Sequence, residues 1–150
     1  MKILIFEDEI HNYHVLRHMI ERIMPSALLI GPIPTVAEGR HLLLSQSEVD
    51  IIIADIQLSD GLCFEALSYA PDDIPIIFTT ESEEYALKAF EFNSLSYLLK
   101  PIDEEQFRIA MKKAERLLSC KKSNTESSNM NFFFFNNVSN ISDCIAIFCD

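Results

Sequence analysis

Short apolar runs, each closed by charge or by turn residues, punctuate the chain. Lys2–Phe6 (KILIF) is β-branched and apolar and ends against three acids, the pattern of a strand buried on both faces of a parallel sheet. Val15, Leu16, Met19, Ile20 and Ile23 then recur at helical spacing until Pro25 stops the helix. Leu28–Ile33 reads as a second strand, broken at Pro32 and Pro34. Thr35, with Glu38 three residues on, has the spacing of a capping box before a helix whose apolar face is Val36, Leu42 and Leu43. The cycle continues with strands at 49–54, 74–79 and 96–99, and helices at 62–69, 83–92 and 103–118.

Strands that alternate with helices predict a parallel sheet covered on both faces, because each crossover needs a helix to return the chain. Five such units fit an α/β, doubly wound, five-stranded parallel sheet of the flavodoxin-like kind, with strand order 2-1-3-4-5. The pattern stops after Leu118. Residues 119–131 are polar and without apolar period, and read as a linker. Residues 132–150 carry two apolar runs separated by Asn and Ser, and read as a tail or the truncated start of an output domain, since so short a piece cannot bury a core.

Composition narrows the function. A formal net charge of -11 argues against nucleic-acid binding by these residues themselves, because phosphate contact rests on Lys and Arg. Lys112, Lys113, Lys121 and Lys122 form a mild basic patch expected at a solvated helix end. Cys63, Cys120, Cys144 and Cys149 show no metal-binding spacing and read as reduced thiols. No run approaches the roughly 20 apolar residues of a membrane span, and the N-terminus lacks the make-up of a secretory signal. A soluble, cytoplasmic protein is expected.

In an open parallel sheet, ligands bind beyond the carboxyl ends of the strands where the winding reverses. That rule gathers Glu7, Asp8 and Glu9 after the first strand and Asp55 after the third. It adds Thr79, Thr80 and Glu81 after the fourth, and Lys100 with Pro101 after the fifth. Several carboxylates in one pocket imply a cation, and an all-oxygen set without His or Cys favours Mg2+ over softer metals. A carboxylate can attack phosphorus to form an acyl phosphate, with metal and lysine taking the spread charge. His11, His14 and His18 fall on one helical stripe and read as a solvated face rather than a metal site.

The stretches ILIFEDE, IIIADIQLSDG, PIIFTT and SYLLKPI, in this order over residues 1–118, resemble the signatures of the response-regulator receiver domain of two-component signalling. DIQLSDG and EYALKAFEFNSLSYLLKPI are similar, more narrowly, to receivers that precede LytTR-type DNA-binding domains. The resemblance implies that Asp55 is the phosphoacceptor and that Glu7, Asp8, Asp55 and the Gln57 backbone carbonyl hold Mg2+. It implies that Thr80 and Lys100 contact the phosphoryl group, that Tyr97 is the switch aromatic, and that Lys100–Pro101 is a cis peptide. The implied partners are a sensor histidine kinase and a second copy of the chain, paired through the fourth helix, fifth strand and fifth helix. DNA would be reached only through an output domain.

Two positions depart from the family pattern. Glu7 stands where Asp is usual, and Glu81 puts an acid where a small residue is usual; it either points outward or slows phosphorylation by repulsion. Of the aromatics, Phe90 is expected in the core, and Tyr97 in the core or at the switch. Two rival readings are a phosphorylation-independent pseudo-receiver and an aspartyl-phosphate phosphatase of the haloacid dehalogenase type. The second wants an acid two residues past the nucleophile, where this chain has Gln57.

Overall fold

The computed structural model describes residues 1–45 and 47–123. Five parallel strands form one sheet: β1 (Lys2–Phe6), β2 (Leu28–Ile33), β3 (Ile51–Asp55), β6 (Ile76–Thr80) and β7 (Ser94–Leu99). Their order is β2-β1-β3-β6-β7, which is the expected 2-1-3-4-5 winding once a small hairpin is set aside. That hairpin, β4 (Gln57–Leu58) and β5 (Gly61–Leu62), follows β3 directly and was not expected from the sequence. It turns at Ser59–Asp60, and Gly61, directly after the turn, adopts φ +152°, a conformation open to glycine and strained for other residues.

The helices are α1 (Ile10–Ile23), α2 (Val36–Leu44), α3 (Phe64–Leu67), α4 (Ala86–Ala89) and α5 (Glu104–Ser123). α2, α3 and α4 cover one face of the sheet, where Leu4, Phe6, Ile52, Ala54, Phe78 and Tyr97 meet Val36, Leu43, Phe64, Leu67 and Ala89. On the other face α1 and α5 bring Tyr13, Leu16, Ile20, Phe107, Ala110 and Met111 against Ile3, Ile5, Ile51, Ile53 and Ile77. The three central strands β1, β3 and β6 are thus apolar on both sides, which is why they read as unbroken apolar runs. Gly39 lets α2 lie close on the sheet: a Cβ there would sit 2.0 Å from the Phe6 ring.

Several local expectations change. α4 is one short turn rather than a helix over 83–92, and α3 is shorter than 62–69. α5 continues past Leu118 to Ser123, so the first residues of the expected linker are helical, as Ser, Cys and two Lys permit at a helix C-terminus. The rest of that linker, the 132–150 segment, Cys144 and Cys149 lie outside the described residues. Val15 is exposed, α1 turning Tyr13, Leu16 and Ile20 inward instead, while His11, His14 and His18 are exposed as expected. Phe90 is 60% exposed and is not a core residue: Ala89 takes the inward position of that turn.

Candidate functional site

β3 delivers Asp55 to the sheet's carboxyl edge as its last residue, paired in register with Thr79 of β6. Glu7 and Asp8 follow β1, and Lys100 follows β7, its N–H bonded to the Thr80 carbonyl at 2.8 Å. These side chains converge. Lys100 Nζ lies 2.5 Å from Asp55 Oδ2 and 3.1 Å from Glu7 Oε2, with both carboxylates buried. Each carboxylate's other oxygen accepts a backbone N–H, Gln57 to Asp55 Oδ1 at 3.2 Å and Glu9 to Glu7 Oε1 at 3.1 Å. Asp8 is exposed at the mouth, and Ser59 Oγ donates to its Oδ2 at 3.4 Å. The Lys100–Pro101 peptide is cis, as is Gly31–Pro32.

One lysine therefore balances two buried acids. Burial pushes the Asp55 carboxyl above its ordinary range, against the pull of its bond to Lys100 and that lysine's charge. Burial raises Glu7 as well, helped by the Asp55 charge and opposed by the Glu9 N–H and Lys100. Burial alone would lower Lys100, but its bonds and charge contacts with Asp55 and Glu7 outweigh that and hold the ammonium above its usual value. A group of this kind gains from one more cation. One oxygen each from Glu7, Asp8 and Asp55 can lie within 4.8 Å of one another, and an all-carboxylate set suits a hard divalent ion. The donors present thus fit Mg2+.

Thr80, Tyr97 and Glu81 complete the rim. Thr80 is buried; its Oγ1 accepts the Ser82 N–H at 3.3 Å, and its hydroxyl also hydrogen-bonds the Tyr97 hydroxyl. Tyr97 is buried and donates its hydroxyl to the Ser82 carbonyl at 2.5 Å, so the ring is packed inward behind Thr80. Glu81 is exposed, as the outward alternative requires. Sequence reasoning missed Ser59, Ser82 and Tyr85; Gln57 Nε2 donates to the Tyr85 hydroxyl at 3.1 Å across the mouth. Only the Asp-Gly turn and the polar loop after Thr80 signalled that residues there would crowd the site.

Fold and site together define a flavodoxin-like α/β class, with an acidic, lysine-bridged pocket at the point where the sheet reverses its winding. The chain belongs to the response regulator receiver domain family, whose family model matches residues 3–112. It is 36% identical to the sensory transduction protein LytT of Bacillus cereus over 119 residues, 77% of this chain and 48% of that protein. It is 31% identical to the sensory transduction protein LytR of Streptococcus agalactiae over 124 residues, 78% of this chain and 49% of that protein. The chain thus spans about half the length of these relatives. Among solved structures, the response regulatory domain of protein mrkE from Klebsiella pneumoniae aligns with a TM-score of 0.65 at 25% identity, covering 82% of this chain and 99% of that one. The N-terminal domain of a response regulator/sensory box/GGDEF 3-domain protein from Carboxydothermus hydrogenoformans aligns with a TM-score of 0.66 at 20% identity, covering 81% of this chain and 98% of that one, a likeness of fold.

Proposed function

We propose that the chain is the phosphoacceptor of a two-component pathway, taking a phosphoryl group from a sensor histidine kinase onto Asp55. The observation that supports this most is the contact of Lys100 with both Asp55 and Glu7, which fixes a carboxylate nucleophile beside a cation in an acidic pocket. Glu7, Asp8, Asp55 and the Gln57 carbonyl would hold Mg2+, which when bound neutralises charge on the transferring group. Asp55 Oδ2 attacks phosphorus, the phosphorus–nitrogen bond to the kinase histidine breaks, and the histidine leaves with the electron pair. Lys100 then pairs with the new phosphoryl oxygens, and the Thr80 hydroxyl donates to another.

Phosphorylation replaces one negative charge by about two and adds acceptor oxygens. Thr80 moves toward them, the Ser82 segment follows, and Tyr97 tracks that segment through its hydroxyl, so the α4–β7–α5 face changes shape. Leu87, Leu99 and Ile109 are exposed there, which supports homodimer pairing on that face. In this reading transcription is controlled through an output domain of LytTR type, and the protein works in the cytoplasm. Among the described residues no helix is long and apolar enough to cross a membrane.

The test is acetyl phosphate or beryllofluoride with and without Mg2+, read by intact mass and by size in solution, with Asp55→Ala as control. A Mg2+-dependent adduct on the wild type and none on Asp55→Ala is expected. No adduct on the wild type would leave the phosphorylation-independent pseudo-receiver.

A further inference from the structure

Gln57 touches both Asp55 and Tyr85, the residue immediately before α4. Its backbone N–H holds Asp55 Oδ1, while its side-chain amide reaches across the mouth to the Tyr85 hydroxyl. Tyr85 stands immediately before α4: its carbonyl accepts the Ala89 N–H at 2.9 Å, and its ring lies 6.5 Å from that of Phe64. The segment from Glu81 to Tyr85 is therefore tied at both ends. Near its start, Tyr97 and Thr80 bind the Ser82 backbone; at its end, the Tyr85 backbone N–H bonds the Tyr97 hydroxyl, while the Tyr85 side-chain hydroxyl takes a neutral hydrogen bond from Gln57.

Resting on the phosphoacceptor reading, we propose that the Gln57 amide is an exchange donor, bound to the Tyr85 hydroxyl at rest and to a phosphoryl oxygen once Asp55 is loaded. A phosphoryl oxygen carries charge, and a charge-assisted hydrogen bond is roughly twice as strong as a neutral one. The donor is already anchored two residues from Asp55, so a side-chain rotation suffices and the backbone need not move. Losing its partner, Tyr85 no longer ties α4 to the hairpin β4–β5. Tyr85 is thus a positioning residue for the resting state, and Gln57 couples that state to the phosphate.

The exchange makes an asymmetric forecast for beryllofluoride affinity with saturating Mg2+, measured by calorimetry on the full chain. Tyr85→Phe keeps the ring and removes only the resting bond, so it tightens binding by about three-fold, the worth of a modest exposed hydrogen bond. Gln57→Ala removes both bonds and weakens binding. In a Gln57→Ala background Tyr85→Phe changes nothing further. In parallel, the Gln57 side-chain amide signals of 15N-labelled wild type shift on beryllofluoride addition. Equal affinities for Tyr85→Phe and wild type, or the same three-fold gain in both backgrounds, overturn the exchange while leaving phosphorylation of Asp55 intact. Failure of the wild type to bind beryllofluoride overturns both readings.

Discussion

α2 and α4 lie on the same face of the sheet and are held in opposite ways. α2 is capped twice: Thr35 Oγ1 accepts the Glu38 N–H at 3.1 Å, and the Asp60 carboxylate, arriving from the hairpin, accepts Val36 N–H at 2.6 Å and Ala37 N–H at 3.2 Å. Its Gly39 seats it directly on Phe6. α4 is a single turn with no side-chain cap, buries Ala89 and leaves Leu87 88% exposed. Elements with few buried contacts and unprotected ends are those that shift at little free-energy cost. The sheet thus has a fixed flank on the β1 side of Asp55 and a movable one on the β6 side, with the acid pocket between them.

The largest break in that contrast comes from Gly39→Ala. Helix propensity favours Ala by about 1 kcal/mol, but a methyl meeting a buried ring forces α2 off the sheet, for a net loss of about 2 kcal/mol. Urea denaturation should show a lower midpoint with an unchanged slope. An unshifted midpoint would mean that the Phe6 ring turns aside and that α2 is less firmly seated than its contacts imply.

A smaller loss is expected from Asp60→Ala, read as a lower thermal midpoint with the β-sheet signal intact. Its pH dependence has a definite sign. The backbone N–H bond from Val36, joined by that from Ala37, holds the Asp60 carboxyl below its ordinary 3.8. A lowered acid stabilises the fold above its unfolded value and loses that contribution as pH falls through the folded value. Wild type and Asp60→Ala should therefore differ at neutral pH and converge in acid below 3.8. A gap that persists there would assign the effect to the turn rather than to the cap.

What was legible in the sequence follows the same division. The buried strands announce themselves because burial on both faces demands unbroken apolar runs, and Ile51–Asp55 ends on the one acid that such a run would not carry idly. Thr35 and Glu38 mark the start of α2 by a local spacing. Asp60 does not reveal its role, because its partners are 24 and 23 residues away and only the folded hairpin brings them near. α4 was overestimated because Glu83–Phe92 has helical periodicity, yet its first residues are spent on the loop that binds Tyr97 and Gln57. Phe90 misled for the same reason: in one turn only Ala89 can face the core, and a large apolar residue beside it is left outside.

The smallest effect on the free monomer should come from Leu87→Ser on the movable flank. The side chain is almost wholly exposed, so the change in unfolding free energy should stay within about 0.5 kcal/mol. If that exposure serves pairing of two copies, removing it should cost the dimer far more than the fold. Sedimentation of the beryllofluoride-loaded protein should then show wild type shifted toward dimer and Leu87→Ser held as monomer, with equal mass adducts on both. Equal dimerisation would move the pairing surface off α4, and the exposed leucine would then have to serve a different contact. Equal monomer stability beside unequal dimerisation would show that the movable flank keeps its apolar residues for a partner, where the fixed flank spends Val36 and Leu43 on its own sheet.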